Sequence, residues 1–351
     1  MTQEAAPQTV VRINRPETLL ASLPALFGFT PAESLVVICL KGETGRRRVD
    51  VTIRFDLPVD REGEWELLRY AHGQIGARRP DAVHIAVVGG HLEGIDLPHT
   101  WMIDRLTSTI RATGTEVIEP MWAPAIRPGA AWACYAGCCA GTLPDPTGTE
   151  VAAHRAISGR RMYLDRDDAT AAIDPDAAAT GPARRQVLDD ALAASVARRA
   201  GHGANRAARE DLDALRAACA RTGRGEPVAE PDLMAMVASL IDPRVRDVAL
   251  GFVVGCDDTV DPGHAVTLWQ LLTRAAPAPE VAEPATLAAF AAMCTGGGPV
   301  MSAALHRARS ADPEHTLSLL LTQAIEHGMD PEILRTFAVN AATETAATVD
   351  F

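Results

Sequence analysis

Two kinds of strand pattern sit back to back near the start of this chain, and neither recurs after about residue 150. Ser34 to Leu40 (SLVVICL) is a continuous apolar run of strand length, the mark of burial on both faces. Val49, Val51, Ile53, Phe55 and Leu57 then alternate with Asp50, Thr52, Arg54 and Asp56, the period of a strand with one wet face. Gly42 to Gly45 reads as the turn between them. The stretch 35 to 57 is therefore expected to be an antiparallel hairpin.

The neighbouring periods extend this into an α/β domain. Pro16 and Glu17 open a helix whose apolar residues are Leu19, Leu20, Leu23, Leu26 and Phe27, and Gly28 stands where it should stop. The residues before it read as a loose arm. After Pro58, Trp65, Leu68, Ala71, His72 and Ile75 share one helical face. Ala82 to Val88 is a second buried-type strand, ended by Gly89 and Gly90. Pro98 to Thr113 carries Met102, Ile103, Leu106 and Ile110 at helical spacing, with Gly114 as cap, ahead of strands at Thr115 to Trp122 and Ala130 to Tyr135. The fold class expected for residues 12–148 is α/β with a mixed sheet.

From about Glu150 onward, Ala-rich helical segments dominate, and residues 149–340 are expected to form an all-α C-terminal domain. Asp-Pro pairs at Asp242, Asp312 and Asp330 place an N-cap directly before a Pro at the first helical position, so helices are expected to start there. Within 285–313, Gly296, Ala308, Asp312 and Pro313 match the turn and exit of a single tetratricopeptide-like hairpin, although Ala288 and Ala292 stand where that repeat has large residues.

Composition narrows the classes of partner. With 47% hydrophobic residues over 351 positions, the chain can bury a sizeable core. The formal net charge of −12 opposes binding to nucleic acid, because no excess of cations is present to release condensed counterions. A single Lys, Lys41, stands against 32 Arg and 63 Ala, the usage of a GC-rich genome. No apolar run reaches the length of a bilayer-crossing helix, and no secretory signal is seen, so a cytoplasmic location is expected. Seven cysteines, an odd number scattered through a long chain, argue against a disulfide scaffold.

Several segments together resemble one family, the actinobacterial domain of unknown function 4192 family, from about residue 12 to 335. They are RPETLLASLPALFGFTPAESLVVICL (15–40), VDVTIRFDLP (49–58), DAVHIAVV (81–88), WACYAGCCAGTLP (132–144), the SGR at 158–160 and PRVRDVALG (243–251). The resemblance brings no activity or mechanism with it.

Candidate chemistry gathers in few places. Cys134, Cys138 and Cys139, with His154, offer three thiols and an imidazole for a zinc site or a reversible disulfide. The spacing argues against zinc: no Cys-x-x-Cys pair occurs, and adjacent cysteines are expected to point apart. Packing as small apolar residues is the favoured reading. His91, with Glu93 or Asp96, follows a strand end where ligands collect in α/β sheets, but any polar strand-to-helix loop looks the same. Ser34 lacks the glycines of a nucleophile elbow and reads as a turn hydroxyl. Asp257, Asp258, Asp261 and His264 hold oxygens for a divalent cation, yet Asp261 before Pro262 is better read as a helix cap. Arg pairs at 78–79, 160–161, 184–185 and 198–199, and the run at 46–48, read as solvated faces, with an internal ion pair expected around Arg244, Arg246 and Asp247.

P-loop, His-Glu-x-x-His and dinucleotide fingerprints are absent, and no cofactor is expected. The favoured reading is a non-catalytic binding or regulatory protein whose partner is another protein or a small regulatory ligand. The first alternative is an enzyme with a site between the α/β head and the helical body, drawing on Ser34, His91, Trp132, Cys138 and Arg160. The second is a structural zinc or redox-sensing cysteine loop.

Overall fold

The computed structural model describes residues 13, 15–92, 96–157, 161–327 and 329–349. The expected N-terminal arm, Glu93 and Arg160 lie outside these. The chain divides into two compact units, Met1–Arg166 and Asp167–Phe351.

The first unit opens with helix α1 (Pro16–Phe27). Pro16 sits at its first turn, and Gly28 closes it in the left-handed conformation at φ 84°, donating its N–H to Pro24 O. Strands β1 (Ser34–Lys41) and β2 (Arg48–Asp56) pair antiparallel, as the two patterns imply. Helix α2 (Arg61–Arg78), β3 (Ala82–Val88), α3 (Thr100–Ala112), β4 (Glu116–Ala123) and β5 (Ala131–Cys134) follow in the expected order. One further strand, β6 (Ala140–Thr142), goes beyond the expected set; it is three residues long, exposed, and carries no apolar period that could announce it.

The six strands form one mixed sheet in the order β2-β1-β3-β4-β5-β6. Only β3 and β4 run parallel, and α3 supplies the crossover that such a pair requires. Between His84 and Ala86 the register shifts by one residue, where β4 carries Pro120; a residue without an N–H fits a bulge rather than a regular ladder. β1 lies inside the sheet between β2 and β3, which explains its unbroken apolar run. On one face Leu35, Val37, Cys39, Val83, Ile85 and Val87 pack with Leu68 and Ile75 of α2 and with Met102, Leu106 and Ile110 of α3. On the other, Val36, Ile38, Ala86 and Val88 are equally buried.

One expectation fails on α2. Trp65, placed by period on the inner face, is 51% exposed, while Glu64 is buried beside Leu68, Ala71 and Ile75. The inner face is thus Glu64, Leu68, Ala71, Ile75, one residue round from the face expected at its start.

Helix α4 (Glu150–Ile157) lies in the unit that carries the sheet. Its Arg155 is buried at 6% exposure. The guanidinium donates to Ala25 O in the last turn of α1 at 3.1 Å, and to Arg161 O at 3.0 and 3.3 Å. A cation at a helix C-terminus satisfies carbonyls that lack intrahelical partners.

The second unit is helical: α5 (Arg166–Ala171) at its edge, then α6 (Pro182–His202), α7 (Ala204–Gly223), α8 (Glu230–Leu240), α9 (Pro243–Phe252), α10 (Pro262–Ala275), α11 (Ala282–Thr295), α12 (Gly298–Ala311), α13 (Thr316–Glu326) and α14 (Pro331–Val349). α11 is buried almost all round, and its alanines let α12 and α10 approach closely. Phe252 and Trp269 stack at 6.2 Å in the core. Asp242 and Asp261 cap α9 and α10 as expected. Asp312 does not start a helix: its carboxylate turns the loop at Glu314 N, and His315 caps α13 instead. Among the described residues, no helix is long and apolar enough to cross a membrane.

Candidate functional site: a three-thiol hairpin

β5 and β6 are joined by the turn 135–139. Cys134 donates its N–H to Cys139 O at 2.9 Å, and Gly137 donates to Cys134 O at 2.9 Å. Gly137 lies at φ 68°, the left-handed region in which glycine avoids a side-chain penalty. This tight closure folds the chain back so that Cys138 and Cys139 meet Cys134. Cys134 Sγ and Cys138 Sγ are 3.3 Å apart, and Cys138 Sγ and Cys139 Sγ 3.5 Å. All three sulfurs fall within 4.8 Å of one another. The expectation that the adjacent pair point apart is therefore wrong; the turn, rather than the pleat of a strand, sets their directions.

Burial divides the cluster. Ala133 and Tyr135 pack toward the α2–α3 core, so Cys134 between them points to the opposite face, where it is 2% exposed. Cys138 and Cys139 are exposed. Burial raises the Cys134 thiol pKa, and its hydrogen bond with Cys138 adds to that. None of the seven cysteines is paired in a disulfide. His154, on α4, is not part of the cluster, so the sequence-expected fourth ligand is missing from it. Among the described residues, no other group of three His, Cys, Asp or Glu side chains has ligand atoms so close together.

The remaining candidates are placed apart from it. Ser34 opens β1 fully buried; its hydroxyl donates to Ala32 O at 2.6 Å and accepts from Arg54 Nε at 2.7 Å, the turn role expected of it. Ser34 pairs with Val88, so the exposed His91 lies beyond the same end of the sheet. Trp132 is buried on β5 against Gly141, on the strand that leads into the thiol turn. Asp257 accepts from Thr259 and from Arg216, and Asp261 accepts from Gly263 N and His264 N.

Sequence reasoning missed a second polar pair. His99, just before α3, sits at φ 57° with Nδ1 2.9 Å from Glu64 Oε1, and Arg61 lies 2.9 Å from Glu64 Oε2. The pair ties α2 to the start of α3. Its signal was an acid spaced four residues before Leu68, on an otherwise apolar helical face.

The arginine pairs of the second unit are also more than solvated faces. Arg184 reaches Glu230 at the start of α8; Arg185 reaches Asp189 and, at 2.5 Å, Glu280. Arg198 bonds Asp211 on α7, and Arg199 bonds Asp242 at the cap of α9. The internal tie expected near Arg244 and Arg246 is present: Arg244 donates to Asn205 of α7, and Arg246 lies 3.6 Å from Glu283 of α11. A cleft of about 420 Å³ between α6, α7 and α8 is lined by Arg198 and Asp211 of this network and by a separate pair, Arg221 and Asp232, 3.6 Å apart.

An α/β unit with a mixed six-stranded sheet, a thiol hairpin at its edge and a helical second unit define the class of protein. The chain belongs to the family described as a domain of unknown function (DUF4192), whose model matches residues 16–332. That range runs from α1 into α14 and contains the hairpin. No curated protein and no solved structure matches the chain.

Proposed function

We propose that this chain is a non-catalytic regulatory protein of an actinobacterial cytoplasm, and that its α/β unit senses thiol-reactive species through the β5–β6 hairpin. The observation that carries this reading is the convergence of Cys134, Cys138 and Cys139 within 4.8 Å, with two of the three exposed. Close thiols exchange partners intramolecularly, so one exposed sulfur captures a reagent and its neighbour resolves the product. A reducing compartment keeps the hairpin thiols, which form no disulfide, available for this. The acidic net charge favours a protein or small-molecule partner over nucleic acid. Against an enzyme stands the engagement of Ser34, whose hydroxyl is taken up by Ala32 and Arg54.

The test is mild oxidation of the full chain with diamide, followed by peptide mass mapping. The expected product is a Cys134–Cys138 disulfide, the peptide losing two hydrogens, formed before Cys39, Cys219 or Cys294 reacts. Random oxidation across the exposed cysteines, Cys256 included, at the rate of a free thiol would remove the basis of the reading.

A further inference from the structure

Three sulfurs converge, and among the described residues no fourth donor joins them, which restricts what the hairpin can hold. A structural zinc site is closed by four ligands, and here the described residues supply three. We infer that Cys134, Cys138 and Cys139 form a binding site for a trivalent thiophilic metalloid of the arsenite class. This rests on the hairpin being the thiol-sensing site, and it names the ligand that site takes.

Separation is the first argument. At a bond of about 2.3 Å to sulfur, tetrahedral angles set two sulfurs about 3.8 Å apart, and right angles set them about 3.3 Å apart. Two of the three separations, 3.3 and 3.5 Å, lie at the narrow-angled end, toward the geometry of a pyramidal centre that carries a lone pair on its open side, and the third is within 4.8 Å. Such a centre needs three donors and no fourth.

Charge is the second. Three thiolates around a divalent ion leave one net negative charge, and around a monovalent ion two. Cys134 is buried, and the two thiols it meets bring no positive charge. A net anion placed there is penalised by the lost hydration, whereas a neutral complex is not. A trivalent centre gives the neutral complex: As(OH)3 + 3 RSH → As(SR)3 + 3 H2O. Three S–H and three As–O bonds break, three As–S and three O–H bonds form, each thiol proton leaves in a water molecule, and arsenic stays trivalent. Neither an oxidant nor a separate base is needed.

Access is the third. Cys138 and Cys139 are exposed and make the first bonds; Cys134, already 3.3 Å from Cys138, completes the set.

The experiment adds sodium arsenite to the reduced full chain and follows native mass spectrometry together with the ultraviolet absorbance of As–S bonds. The expected adduct carries one arsenic and has lost three hydrogens. Cys138→Ala and Cys139→Ala each weaken binding at least tenfold, and Cys256→Ala changes it less than twofold. Circular dichroism confirms that the exposed-site variants fold. Zinc chloride in tenfold excess leaves the adduct in place. An adduct that has lost only two hydrogens and survives both hairpin variants overturns the site, and so does displacement by zinc. A diamide-formed Cys134–Cys138 disulfide in a chain that binds no arsenite would overturn this inference alone and leave the thiol-sensing reading standing.

Discussion

Replacing Arg155 by Met keeps most of the aliphatic stem and removes a buried guanidinium that donates to two main-chain carbonyls, Ala25 O and Arg161 O. A hydrogen bond from a charged donor contributes roughly 1.5–3 kcal/mol, and a buried acceptor left without its donor is costly in itself. The bond to Ala25 is 3.1 Å and the better of the two to Arg161 is 3.0 Å, ordinary lengths that warrant the lower half of that range for each. The loss expected is about 3 kcal/mol. Four of the five tryptophans, Trp65, Trp101, Trp122 and Trp132, lie in the first unit, so fluorescence reports mainly on it. With a urea slope of about 2 kcal/mol/M, the midpoint of that transition falls by about 1.5 M. Gly28 supplies the control. A Cβ there would clash with Arg155 Nη2, at a backbone φ of 84° that disfavours any side chain. Gly28→Ala is expected to destabilise the chain, but the double variant by less than the sum, because Arg155→Met removes the atom in the way. A midpoint shift below about 0.3 M for Arg155→Met, or full additivity in the double variant, would refute the claim that Arg155 closes α1.

Two further outcomes follow from single groups. Burial, reinforced by the Arg47 charge, lowers the His84 pKa from 6.5 to about 4. The unfolded chain therefore binds the proton more readily than the folded one, so this contribution is complete above about pH 6.5 and fades as the pH falls toward 4, reaching about 3 kcal/mol. His84→Gln should flatten the acid limb of stability against pH; an unchanged limb would show that His84 is not its source. Asp261→Ala removes the acceptor for Gly263 N and His264 N and should cost about 1 kcal/mol by urea unfolding followed by circular dichroism, with Asp261→Asn largely retaining it. A loss equal for both variants would mean that charge rather than capping matters there.

Most of the element order was legible from local periods. The unbroken run of β1, the alternation of β2, the Pro16 start and Gly28 stop of α1, and the caps at Asp242 and Asp261 each depend on residues within one or two turns of chain. A period is a local quantity, so it reports how an element presents its own faces. β6 escaped because three small residues carry no period, and Asp312 misled because an Asp-Pro pair caps a turn as readily as a helix.

The thiol site lay beyond local reading. Cysteine spacing alone pointed away from a shared centre; the left-handed Gly137 and the β5–β6 register turned three side chains toward one point. The same holds for Arg155, whose partner Ala25 is 130 residues away, and for Arg184 and Arg198, whose acids sit on other helices. Local pattern thus dictated which segments are strands and which are helices, since backbone hydrogen bonding and side-chain burial repeat every two or every 3.6 residues. Which distant side chains meet was settled by packing, because that depends on where whole elements come to rest and on single turns no periodicity encodes.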